Sequence, residues 1–130
     1  MPSYEALAPI DTRVTLVFPS IVLEIRYYAA RDGRSPFEGW FSDLDPAARA
    51  KVTIAIARLG QGNLSNVKGV GEGVLEYRIN SGPGYRVYFG RDGETLVILL
   101  TGGTKKRQRR DIASAIGMWS DYRQRKRGMG

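Results

Sequence analysis

LEYRINSGPGYRVYFGRDGETLVILLT, residues 75–101, decides the fold class. Leu75, Tyr77 and Ile79 alternate with Glu76, Arg78 and Asn80, and after the turn SGPG, Tyr85, Val87 and Phe89 alternate with Arg86 and Tyr88. A period of two marks β-strands. Because the apolar set must share the core face, Arg78, Arg86 and Tyr88 share the other one. Asp92-Gly93 reads as a tight hairpin turn into a strand from Leu96 to Thr101. On that reading Leu96, Ile98 and Leu100 join the core set, and Val97 and Leu99 lie beside Tyr88 and Arg86. A strand apolar on both faces belongs in the interior of a sheet.

Working outward, IVLEIRYYA (21–29) is β-branched and aromatic, a first strand. Ser35-Pro36-Phe37-Glu38 combines a serine cap, a proline at the first helical position and a glutamate three residues on, so a short helix carrying Phe37, Trp40, Phe41 and Leu44 follows. Asp45-Pro46 repeats the signal for a second helix with Ala48, Val52, Ala55, Ile56 and Leu59 at helical spacing, ended by Gly60. A glycine-rich connection, residues 60–73, leads back to the opening stretch. Downstream, Ile112, Ala115, Ile116, Trp119 and Tyr122 stripe a closing helix from about Lys106 to Arg123. The expected fold is α+β: an antiparallel-rich four-stranded sheet with a helical hairpin after strand one and a C-terminal helix. Residues 1–20, with three prolines, read as an N-terminal extension, 21–123 as the domain and 124–130 as a basic tail.

The 130 residues fit one core. With no cysteine and no histidine, disulfides, thiolate metal sites and histidine acid–base chemistry are excluded, and no metal or other cofactor is called for. The longest apolar run, Leu96–Leu100, is far short of the roughly 20 residues that span a bilayer. With no secretory pattern at the start, a cytoplasmic protein without a membrane partner is expected. Charge is unevenly placed. Eleven basic and eleven acidic residues cancel over 1–104, whereas 105–130 holds nine basic residues against Asp111 and Asp121. A localised positive field suits a polyanion.

Arg78, Arg86 and Tyr88 share a face, and Thr101-Gly102-Gly103-Thr104 delivers Lys105 and Lys106 to its edge. Two guanidiniums can grip a phosphodiester, and an ammonium beside them favours the charge that grows when a ribose 2′-hydroxyl attacks in line. Lys105 is the candidate general base and Tyr88 the candidate acid for the departing 5′-oxygen. Lys106, Arg107, Arg109, Arg110 and Lys68 are candidates for holding the RNA backbone. KKRQRR opens the closing helix, where the macrodipole prefers acidic residues, a local cost that suggests use. The plainer alternative pairs Arg78 and Arg86 with Glu76 or Glu94 on an exposed sheet face.

GPGYRVYF (82–89), RDGETLVILLTGGTKKRQRRDIASA (91–115) and SPFEGWFSDLDPAARAKV (35–52) together resemble the addiction-module killer proteins, the HigB-like branch of the RelE/ParE superfamily of toxins. The resemblance covers about residues 21–123. It implies a RelE-like, microbial-ribonuclease-like fold, mRNA cleavage on the ribosome, and a partner antitoxin with a helix-turn-helix domain. It places Arg86 at the strand arginine that holds the scissile phosphate, Arg78 at a basic position on the preceding strand, and Lys105 or Lys106 near the basic residue after the last strand. Two positions depart from it. Glu76 stands where RelE proper has a second basic residue, and Asp111, Ile112 and Ala113 replace the helix tyrosine. A ParE-type toxin that blocks DNA gyrase without catalysis is the alternative, and a basic nucleic-acid-binding module without toxicity a third.

Overall fold

The computed structural model describes residues 22–129, so the expected extension 1–20 lies outside the described residues. Strand β1 is Glu24–Tyr27, followed by helices α1 (Pro36–Ser42) and α2 (Pro46–Gly60). Both helices start as the sequence announces. Ser35 Oγ accepts from the Glu38 amide at 3.2 Å and Asp45 Oδ1 from the Ala48 amide at 2.9 Å, each with proline at the first position. Strands β2 (Val67–Gly71), β3 (Val74–Ile79), β4 (Tyr85–Asp92) and β5 (Leu96–Thr104) follow, then a 3₁₀ turn (Lys105–Arg107) and helix α3 (Gln108–Met129). Helix α3 runs through Arg123 and carries the basic residues beyond it.

The sheet corrects the four-stranded expectation. It has five strands in the order β1-β5-β4-β3-β2, and it is mixed, because β1 pairs with β5 in parallel. The additional strand lies in the glycine-rich connection. VKGVG carries only two apolar residues, and a bulge between Gly69 and Gly71 breaks their alternation, so no period marks it. Glu72 and Gly73, at φ 52° and 85°, form the two-residue turn that pairs Gly71 with Val74. Such a turn needs positive φ at both positions.

The register from β4 to β5 is also reversed from expectation. Asp92 pairs with Leu96, so three residues form the turn, and Phe89 meets Leu99 while Arg91 meets Val97. Val97 and Leu99 therefore join Tyr77, Val87 and Phe89 under Phe37, Val52 and Leu59 of α1 and α2. Ile98 and Leu100 join Val74, Tyr88 and Tyr28 under Ala115 and Trp119 of α3. Both faces are covered, which explains the unbroken apolar run of β5, an interior strand as expected. A bulge at Leu100 then shifts the pairing, so that Tyr88 meets Thr101 and Arg86 meets Gly103.

Trp40 packs so closely on Gly102 that a Cβ there would lie 2.2 Å from the indole. Gly102→Ala is expected to lower the unfolding free energy by about 1–3 kcal/mol, the usual cost of overpacking. A urea titration reads this directly; an unchanged midpoint would mean that the indole moves aside freely.

Helix α3 is tied to the sheet by polar contacts at its far end. Tyr122 donates to Asp92 and Tyr28 to Asp121, each at 2.7 Å. Burial and the Asp92 carboxylate push the Tyr122 phenol up to about 12. Hydrogen bonds from Lys126 and Tyr122 hold the Asp92 carboxyl below its usual range.

Candidate functional site

The hairpin turn between β3 and β4 makes one wall of a cavity of about 370 Å³, lined by residues 80–84, Arg78, Arg86 and Lys105. Arg78 pairs with Arg86 across the β3–β4 ladder, and Arg86 with Gly103 across the next, so the three strand ends converge. The Lys105 amide donates to the Gly84 carbonyl at 2.9 Å, which brings the start of the 3₁₀ turn against the hairpin. Gly84 has φ 76°, and a Cβ there would come within 3.3 Å of both Arg86 Nη1 and Lys105 Cβ. Glycine therefore lets the turn close over the arginine.

The guanidinium of Arg86 is only 2% exposed. Its Nη1 donates to the carbonyls of Gly84 (3.1 Å) and Tyr85 (3.4 Å), and its Nε lies 3.7 Å from Glu76 Oε1. Glu76 is completely buried, accepts from Gln108 Nε2 at 2.7 Å and also faces Arg78 Nε at 4.0 Å. One carboxylate thus faces both arginines at ion-pair distance, with no hydrogen bond from Arg86 Nε to Glu76 Oε1, and receives the first residue of α3. The expectation that Arg86 points away from the protein interior is overturned: α3 covers that face. The alternative pairing of Arg78 and Arg86 with Glu76 does occur, but inside the molecule rather than on an exposed face.

Tyr88 shares the face of Arg86 as parity requires, yet it is fully buried and does not line the cavity. Burial, with the Glu76 carboxylate nearby, pushes its phenol well above the usual range. The hydroxyl has no partner in hydrogen-bonding geometry among the described residues. A phenol so placed gives up its proton reluctantly. Asp111 Oδ2 is likewise buried without a partner, over Gly103, and desolvation raises its pKa.

Lys105, Lys106, Arg107, Arg109 and Arg110 are exposed along the 3₁₀ turn and the first turn of α3. Lys68 is exposed on the edge strand, paired with Glu76 and so in register with Tyr88. Arg78, Arg86 and Lys105 therefore meet at one cavity, whereas Tyr88, Lys68, Lys106, Arg107, Arg109 and Arg110 lie outside its lining. Sequence reading missed Gln108 and the anchoring role of Glu76. The available signals were an uncharged glutamine inside a basic run and a carboxylate of the same parity as the two arginines. Among the described residues, no group of three or more carboxylates is placed to hold a metal ion.

A buried arginine paired with a buried carboxylate, set at the end of a mixed sheet beside Arg78 and Lys105, marks a small basic α+β protein. Residues 39–115 match the family described as Phage derived protein Gp49-like (DUF891), and the chain belongs to that family. The family is of the toxin-antitoxin type, with a RelE-like fold. An uncharacterised protein from Haemophilus influenzae is 45% identical over 80 residues, covering 61% of this chain and 81% of that protein.

Proposed function

We propose that this chain is the toxin of a toxin-antitoxin pair and that it cleaves RNA without a metal. The observation that carries this reading is the convergence of Arg78, Arg86 and Lys105 on one cavity, with Arg86 braced by buried Glu76. Arg78 and Lys105 form the accessible rim and Arg86 the floor, an arrangement that suits a phosphodiester's two non-bridging oxygens. The ribose 2′-oxygen attacks the adjacent phosphorus, the bond from phosphorus to the 5′-oxygen breaks, and a 2′,3′-cyclic phosphate and a 5′-hydroxyl result. Solvent takes the 2′-proton and supplies one to the departing 5′-oxygen, while the Lys105 ammonium faces the charge that grows on the phosphate oxygens. Tyr88, buried on the same face as Arg86, takes no part in the proton transfers. The cationic turn from Lys106 to Arg110, with Lys68 across the sheet, tracks the flanking backbone.

The substrate in this reading is mRNA, met on the ribosome as in the RelE/ParE and HigB-like toxins. The family type implies an antitoxin partner, which we take to be a helix-turn-helix protein. In this reading the toxin acts in the cytoplasm; no helix among the described residues is long and apolar enough to cross a membrane.

The test is induction in bacterial cells, with primer extension on cellular mRNA and a parallel gyrase supercoiling assay. Because Lys105 is exposed, Lys105→Ala should leave thermal unfolding unchanged while slowing cleavage about a hundredfold or more. Growth arrest with blocked supercoiling and intact mRNA would replace this reading with that of a gyrase-binding toxin.

A further inference from the structure

Beyond Arg110, helix α3 carries no basic residue until Arg123, and residues 111–122 between them hold Asp111 and Asp121 instead. The basic run that closes the chain, expected as a tail, is the end of this helix, which continues as far as Met129. There it makes one wall of a separate cavity of about 340 Å³. Arg123, Lys126 and Arg127 line that cavity together with Arg91 and Asp92 from the end of β4 and Gly73 from the β2–β3 turn, over Trp119 and Tyr122. Trp119, Arg123 and Arg127 follow at four-residue spacing and so share one stripe of the helix. At Gly73, φ 85°, a Cβ would come within 2.8 Å of Trp119 Nε1, so glycine keeps this wall open. Asp92 and Lys126 pair with each other, which cancels their charges. Among the described residues, Arg91, Arg123 and Arg127 have no carboxylate within ion-pair distance. Arg91 is nonetheless fixed, because its Nη2 donates to the Glu94 carbonyl. The helix macrodipole favours cations in the last turn, which accounts for Lys126 and Arg127. It does not account for Arg91, which comes from a strand, or for Arg123, which stands a turn earlier.

We propose that this cavity is a docking site for an acidic peptide segment of a partner protein, and that it works independently of the phosphate cavity at the other end of α3. An aspartate or glutamate side chain there would meet three guanidiniums whose charge the fold leaves uncompensated, and guanidinium forks match carboxylates through paired hydrogen bonds. Charge complementarity thus selects the occupant. Nucleic acid is equally anionic but fits less well. Single strands gain much of their affinity by stacking bases on aromatic rings. Trp119 is 4% exposed, stacked on Tyr122 at 5.2 Å and pressed against Gly90, so its indole has no free face to offer a base. A backbone running on from the phosphate cavity along α3 would also have to pass residues 111–122, about 18 Å of helix without a cation. The inference draws on the charges at this cavity alone and stands whether or not the chain cleaves RNA.

The test titrates the full chain with two short fluorescent peptides, one alternating glutamate with leucine and the other glutamine with leucine. A parallel titration uses an RNA oligonucleotide made uncleavable by a single 2′-deoxyribose at the reacting position. The Trp119 indole N–H serves as a local NMR reporter and that of Trp40 as the remote control. The glutamate peptide should bind at least about tenfold more tightly than the glutamine peptide and should shift the Trp119 signal but not that of Trp40. Arg123→Gln with Arg127→Gln, both at exposed positions, should abolish that preference and leave RNA affinity unchanged. Saturating RNA should not displace the glutamate peptide. Equal affinity for the two peptides, or a preference that survives both substitutions, would return these arginines to a solvated helix end. Displacement of the peptide by RNA, or RNA binding weakened by the arginine substitutions, would give the cavity to nucleic acid. Lys105→Ala separates this inference from the cleavage reading: RNA binding untouched by that change would sink the phosphate cavity and leave the peptide site standing.

Discussion

Arg86→Ala is expected to abolish RNA cleavage and to lower the unfolding free energy by about 3–5 kcal/mol. The stability loss arises because the truncation leaves the completely buried Glu76 carboxylate facing an empty space where its nearest cation stood. The rate loss has a separate origin, the removal of a positioned donor at the transition-state oxyanion, which typically costs about two to three orders of magnitude. Arg86→Lys separates the two. It keeps a positive charge near Glu76, so most of the folding energy should survive, but it loses the fork that spans Gly84 and Tyr85 on one side and the cavity on the other. Urea unfolding and cleavage by the folded fraction would be measured for both variants. Normal cleavage by folded Arg86→Lys would take the guanidinium out of the mechanism.

Glu76→Ala should destabilise to a similar degree, about 3–5 kcal/mol, since it strands Arg86 in turn. It also removes the acceptor of Gln108 Nε2 and so loosens the start of α3. The two losses share one interaction and should not add. Replacing the pair together, Glu76→Leu with Arg86→Met, exchanges two buried charges for apolar side chains of similar size. Most of the stability is expected to return while cleavage stays absent. A double variant as unstable as the sum of the two single ones would show that the charges are not coupled.

Much of this architecture was legible in the chain. The proline-led caps at Ser35 and Asp45 announced both helices of the hairpin, and the alternation through 75–89 set which residues share a face with Arg86. The errors have one physical source, local pattern overridden by sheet geometry. Asp92-Gly93 looks like a two-residue turn, but Asp92 itself pairs with Leu96, and that single step moves Leu96 to Leu100 to the opposite face, until the bulge at Leu100 restores the expected side. The bulge at Gly69–Gly71 hid β2. The apolar run Val97–Leu100 already carried the corrective, because a strand without a polar face requires cover on both sides. Followed through, it would have placed Arg86 under a helix. Gln108 was harder to find, since its partner lies 32 residues away in the sequence.

Three glycines of the sheet receive side chains from the helices so closely that even a methyl group would collide: Gly90 with Trp119, Gly102 with Trp40 and Gly103 with Asp111. Each forms a lock whose two halves lie far apart in the chain. In descendants of this sequence a side chain can enter position 102 only if position 40 gives up its indole, and the same bargain binds 90 to 119 and 103 to 111. Adjacent positions 102 and 103 answer to different helices on opposite faces, so their histories are independent of each other although they are neighbours in sequence. The two helical layers can therefore drift separately, each tethered to the strand they share by its own glycine.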